Sequence, residues 1–207
     1  MKKIVFTLIA LACLTTSKAQ EQDVASKILK SGFGVETFIG TATTDYSSGD
    51  FGVGLKLANY WYFGDNQVWK PGLKSTWFRG ATYFGSDALT IQGSVLNVGF
   101  ANAFEFKKNI GLEVNLNVGY NVVIGIFDEY YDSYYDEYYD TDDFTGGGIL
   151  FNPEIKFRYN VLAVGLDFVF TNVTEYTEQE SYNGFDYEYY TRDTPFSSIN
   201  FTIGAKF

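Results

Sequence analysis

The chain has 207 residues, 46 % hydrophobic and 19 % charged, enough for a packed domain and too apolar for a disordered one. Aromatics reach 19 %, with 21 glycines and three prolines, a mixture that favours strands over helices. There is no histidine, which excludes a Ser–His or Cys–His nucleophile pair, a histidine base and a histidine-ligated metal, and the net charge of −10 argues against a nucleic-acid surface.

Lys2 and Lys3 precede an apolar run from Ile4 to Leu14, too short to span a bilayer as a helix. Ser17 and Ala19 put small residues before a cleavage point. The pattern predicts a secretory signal peptide over 1–19, leaving Gln20 first. Cys13, the single cysteine, falls inside it, so the mature chain has no thiol chemistry. A lipoprotein reading would cut before Cys13, but Ala10 stands where such sites favour leucine. Residues 20–32 are expected to be a short periplasmic lead-in, and 33–207 one barrel.

Alternation dominates from residue 33 onward. Ile110, Leu112, Val114, Leu116, Val118, Tyr120, Val122, Ile124 and Ile126 form one face of a stretch whose other face is mostly Gly and Asn, with Glu113. Period two over so many residues is a long strand. The same reading predicts eight strands, near 33–44, 51–64, 70–84, 89–106, 110–127, 149–159, 161–175 and 196–207. The third has ambiguous parity, because Trp77 and Phe78 are adjacent. The fourth changes phase near Gly93, the mark of a bulge. Pro153 inside the sixth removes a ladder bond and points to a bulge or to the membrane exit.

Connections after the second, fourth and sixth strands are short. Those at 45–50, 128–148 and 176–195 are longer. Short turns at one end and longer loops at the other predict a transmembrane antiparallel up-and-down β-barrel. The apolar face of the fifth strand suits lipid, and its Gly- and Asn-rich face suits a crowded lumen. Strands running toward the short turns end in aromatics: Trp61 to Phe63, Phe104 with Phe106, Phe157 with Tyr159, and Phe207. That is one interfacial girdle.

The final Phe201-x-Ile203-x-Ala205-x-Phe207 resembles the C-terminal insertion signal of outer-membrane barrels. Phe151-Asn-Pro-Glu-Ile155 through Asn160-Val-Leu-Ala-Val-Gly-Leu166 resembles small outer-membrane barrel proteins of Bacteroidetes-type bacteria. So does Gly54-Leu-Lys56 through Trp61-Tyr-Phe-Gly64. The resemblance covers most of the mature chain. It implies an outer-membrane location and a porin-like fold, and it carries no chemistry.

The connections 128–143 and 175–193 hold fourteen of the 25 acids and a single base, Arg192. Without the signal peptide the rest of the chain is neutral, so the excess negative charge lies outside the cell. Parity places Glu113, Glu154, Lys156, Arg158, Asp167 and Lys206 in the lumen, with Glu36, Lys56 and Glu105 expected to join them. An eight-stranded lumen is just wide enough for side chains to fill it, and its charges must pair. They form either a rigidifying ion-pair network or an ion pathway.

The loop from Asp128 to Asp140 repeats Asp-x-Tyr-Tyr every four residues. Asp128, Asp132, Asp136 and Asp140, with Tyr130, Tyr134 and Tyr138, are candidate ligand residues. Three readings stand: a hydrated shield, Ca²⁺ held by clustered carboxylates, or adhesion through Tyr rings to a glycan or protein. As an extension of the flanking strands the segment is compatible with its Tyr content. No other cofactor is expected. The expected protein is a monomeric, non-enzymatic outer-membrane barrel, lipid-embedded, working through its outer loops. The alternative is a small porin or ion channel, favoured if the Tyr-rich segments paired within the membrane to give ten strands. Lipid-modifying barrels rely on a histidine that this chain lacks.

Overall fold

The computed structural model describes residues 28–43, 48–66, 68–85, 88–127, 130–132, 137–139, 144–180 and 187–207. The expected signal peptide and most of the lead-in lie outside them.

Among the described residues ten strands follow in chain order: β1 (Gly32–Thr43), β2 (Ser48–Tyr62), β3 (Trp69–Phe84), β4 (Ala88–Lys107), β5 (Ile110–Phe127), β6 (Tyr130–Asp132), β7 (Glu137–Tyr139), β8 (Phe144–Tyr159), β9 (Leu162–Glu180) and β10 (Tyr187–Lys206). Eight of them close into an antiparallel barrel in the order β1-β10-β9-β8-β5-β4-β3-β2. Reciprocal backbone bonds between Phe33 and Phe207 help to close the seam. The Tyr-rich β6 and β7 pair only with each other, Tyr131 opposite Tyr138, as a separate hairpin. The barrel therefore has eight strands and not ten.

Alternation sorts the side chains as predicted, with polarity reversed relative to a water-soluble protein. On β4, Val98 and Phe100 are 57 % and 65 % exposed, while Asn97 and Ala101 are fully buried. The exposed belt is Ile, Leu, Val and Phe on nearly every strand, and the interior holds Lys, Arg, Glu and Asn. Only a lipid solvent stabilises that arrangement, and closure leaves no backbone edge in hydrocarbon. Trp61, Phe63, Phe106, Phe157, Tyr159 and Phe207 are exposed at the short-turn end. Trp69, overlooked in the sequence, stacks on Phe104 there at 6.2 Å.

The strands are longer than the sequence suggested at the other end. Residues 144–148, 176–180 and 187–195 belong to strands, not loops. A tilted strand needs about 9–11 residues to span a bilayer, so β8, β9 and β10 rise above it. The register pairs β9 with β10 from Leu162↔Ala205 up to Glu180↔Tyr187, whereas β1 stops at Thr43↔Ser197 and β8 begins at Thr145↔Tyr176.

Three irregularities differ in detail from expectation. Trp77 is an extra residue in β3, because Leu57 pairs with Phe78 and Ala58 with Thr76. Both Trp77 and Phe78 therefore point outward, and parity inverts across them. The phase change in β4 lies beyond Gly93, between Ser94 and Val98, where Leu96 has φ 59°. Pro153 marks neither a bulge nor a membrane exit: it sits mid-strand, with β8 in unbroken register with β9 on either side. The missing N–H is replaced locally, since the Asn152 side-chain amide donates to the Phe168 carbonyl at 2.7 Å.

The Asn152→Ala variant should leave that carbonyl without this donor and lower stability by about 1–3 kcal/mol. Urea unfolding of the vesicle-embedded protein, followed by Trp fluorescence, measures the loss.

Candidate functional site: a charged, closed lumen

The candidate site is the barrel interior. The register creates two like-charged neighbours on opposite walls. Lys56 on β2 lies directly opposite Arg79 on β3, and Glu154 on β8 directly opposite Asp167 on β9. Like charges so placed on one sheet repel. They are held because the two walls face each other. Lys56 Nζ reaches Glu154 at 2.9 Å and Asp167 at 2.8 Å, and Arg79 reaches Asp167 at 3.1 Å. Lys74 and Lys156 each approach Glu154 at 2.6 Å. Glu154 thus receives three lysines, all fully buried.

Toward the short-turn end the network continues. Glu36 on β1 takes Lys156 at 2.6 Å and Lys56 at 3.0 Å, and the Tyr60 hydroxyl donates to it at 3.0 Å. Glu113 accepts from Arg158 Nε at 2.6 Å and from the Tyr62 hydroxyl at 2.8 Å. The Tyr60 ring is the centre of a cation cluster, with Lys74, Arg158 and Lys206 each 5.3–5.4 Å from its centroid. Such contacts are strongest when desolvated.

Both mouths are stoppered by apolar groups. Above Arg79, whose guanidinium lies 4.5 Å from the Phe38 ring, a cluster of Phe38, Tyr83, Val123, Leu150, Val169 and Phe196 fills the outer end. At the other end Ile28 and Leu29 tuck under the barrel against Ala103 and Tyr62. Lys206 Nζ donates to the Ile28 carbonyl at 2.6 Å and fixes that stopper.

Every lumen residue named from parity is inside: Glu113, Glu154, Lys156, Arg158, Asp167 and Lys206, together with Glu36, Lys56 and Glu105. All but Glu105 join the ion-pair network. Glu105 instead accepts from the Asn109 backbone N–H in the β4–β5 turn. Sequence reasoning missed Lys74 and Arg79. Their opposite parities, with two adjacent aromatics between them, were the available sign of the Trp77 bulge. The tyrosine cluster and the Ile28–Leu29 stopper carried no such sign. Of the outer-loop candidates, Tyr130 and Asp132 lie on β6 and Tyr138 on β7. Asp128, Tyr134, Asp136 and Asp140 lie outside the described residues.

The buried charges among the described residues number six acids and six bases. Ion pairs join four of those acids, Glu36, Glu113, Glu154 and Asp167, to all six bases. Glu36, Glu113, Glu154 and Asp167 are buried and salt-bridged in the lumen.

A closed barrel with a lipid-compatible belt, one aromatic girdle and a polar interior defines a transmembrane β-barrel of the bacterial outer-membrane type, and places this chain in that membrane. No family model and no curated protein sequence matches it. Solved structures do resemble it. Ail, the attachment invasion locus protein of Yersinia pestis, is 12 % identical with a TM-score of 0.44, covering 86 % of this chain and 97 % of that one. Ail has also been solved with the heparin analogue sucrose octasulfate. A major outer membrane protein of Thermus thermophilus is 12 % identical with a TM-score of 0.45, covering 86 % and 99 %. The outer membrane protease OmpT of Escherichia coli is 8 % identical with a TM-score of 0.43, covering 86 % and 94 %.

Removing Glu154 tests the network. Glu154→Gln should cost about 3–5 kcal/mol, because three buried lysines lose a shared counter-charge. Adding Lys74→Met should recover part of the loss, since Glu154 is the partner in every Lys74 salt bridge and hydrogen bond given above. A double-mutant cycle in urea reads the coupling.

Proposed function

We propose that this protein is a non-enzymatic surface barrel that acts through its outer ribbon and Tyr-rich hairpin, with the lumen serving as a rigid anchor. The observation that carries this is the sealed, charge-balanced interior. Lys56, Arg79, Glu154 and Asp167 tie opposite walls together, and apolar residues stopper both mouths. Recognition is then left to the parts that stand above the membrane. The β9–β10 ribbon places Tyr176, Tyr187, Tyr189 and Tyr190 among Glu175, Glu178, Glu180 and Glu188. The β6–β7 hairpin adds Tyr130, Tyr131, Tyr138 and Tyr139 beside Asp132 and Glu137.

Tyr rings stack on flat apolar faces and carboxylates accept hydrogen bonds from hydroxyls and cations. That chemistry suits a neutral glycan or a basic protein surface. It repels a polyanion of the kind crystallised with Ail, because fourteen acids stand against one base in these segments. Ca²⁺ bound to the Asp-x-Tyr-Tyr repeat would relieve the repulsion, so binding is measured with and without it.

Two measurements test the reading. The refolded protein, with insertion checked by liposome flotation, should give no ohmic steps in a planar bilayer. Steady steps would favour the porin alternative instead. On an array of neutral, sialylated and sulfated glycans and basic peptides, binding should be confined to neutral and basic ligands. Replacing Tyr130, Tyr134 and Tyr138 with Ser should weaken it at least tenfold while the barrel stays folded.

A further inference from the structure

The membrane-facing wall carries a concavity. A groove of about 840 Å³ crosses β10, β1, β2, β3 and β4 on the outside of the barrel, rimmed by Ile39, Leu55, Phe78, Ile91 and Phe201. Its origin is a pair of glycines. Gly80 and Gly93 are direct partners in the β3–β4 register, both at outward positions where neighbouring sites carry large apolar side chains. A Cβ on Gly93 would meet nothing within 4 Å, whereas one on Gly80 would strike the Phe78 ring at 2.6 Å. The Phe78 ring thus lies over Gly80, and the space beside it at Gly93 is open.

The groove's height on the wall can be read from the aromatic anchors. On β3, Trp69 marks the short-turn end and Phe84 the outer end, where Phe84 pairs with Phe51 and both are more than half exposed. The groove spans Phe78 to Thr82, nearer Phe84. It therefore lies in the outer-leaflet half. Of the two threonines that line it, Thr37 turns its hydroxyl onto the Ile203 carbonyl at 3.4 Å. The floor is ladder-bonded backbone. No charged side chain lines the groove, so it selects by shape and dispersion rather than by headgroup.

We propose that this groove seats one acyl chain of an outer-leaflet lipid as a long-lived annular ligand. A flexible hydrocarbon chain is the one species present at that depth that conforms to a narrow apolar channel. A second copy of the barrel does not fit. A twofold contact would bring the groove against itself, and two opposed hollows leave a void that forfeits dispersion contacts.

The test uses the whole protein refolded into palmitoyl-oleoyl phosphatidylethanolamine vesicles, then extracted in mild detergent for native mass spectrometry. The wild type should retain one phospholipid per chain. Gly93→Phe, which places a ring in open space and keeps a strand-favouring residue, should reduce retention at least tenfold. Its heat-modifiable gel shift should stay unchanged, which shows an intact barrel. Gly93→Ala should retain the lipid. Phosphatidylglycerol with the same chains should be held equally. Equal retention by wild type and Gly93→Phe overturns the proposal, as does absence of bound lipid in the wild type. A headgroup-dependent stoichiometry, or a dimer mass lost in Gly93→Phe, would also overturn it.

Discussion

Everything in this barrel depends on charges that cannot be left alone. Ion-paired residues from seven strands bring cations and carboxylates into a crowded lumen, where an unpaired ion is severely destabilising. Lys56 and Arg79 are adjacent on one wall, and Glu154 and Asp167 are adjacent on the other. Neither pair is tolerable by itself. Each becomes favourable only when the sheet has closed and the opposite wall has arrived. Closure and charge satisfaction are therefore one event, and the network specifies which walls must face each other. An apolar lumen of equal volume could supply stability, but it would not distinguish one register or shear from another.

The same constraint explains the irregularities. The extra residue at Trp77 inverts the parity of β3 midway, so that Lys74 and Arg79, five positions apart, both face inward. Without that bulge one of the two would meet lipid. Asn152 answers a different demand. In hydrocarbon a carbonyl deprived of its donor by Pro153 has no water to turn to, and a side-chain amide takes the place of the backbone N–H.

Much of this was legible in the sequence because a barrel wall obeys one rule throughout. Period two with lipid on one side and a filled lumen on the other set the strand positions and the identities of Glu113, Glu154, Lys156, Arg158, Asp167 and Lys206. Parity fails where the backbone adds a residue, so Lys74 and Arg79 were lost with the Trp77 bulge, and the phase change in β4 was set a few residues early. The outer ends of β8, β9 and β10 read as loops in the sequence because above the bilayer neither face is apolar, and the alternation that marks a strand disappears. The stoppers were invisible for another reason. Ile28 and Leu29 act through a contact 178 residues distant in sequence, between Ile28 and Lys206.

A neutral wall with strongly acidic outer extensions has a physical consequence for the surface it stands in. The wall's buried acids and bases are paired within the lumen at distances of about 3 Å. The outer segments are not compensated, and at physiological ionic strength their field extends about 8 Å. Approaching polyanions are repelled within that layer, while cations and basic surfaces are drawn into it. The tyrosines beside those acids come into play only at contact, where long-range charge no longer discriminates. In the function proposed above, charge selects which molecules reach the ribbon and hairpin, and the aromatic rings select among those that arrive. The cross-wall ion pairs favour that proposed second step, because a ribbon anchored on a tied wall loses less conformational entropy when it binds.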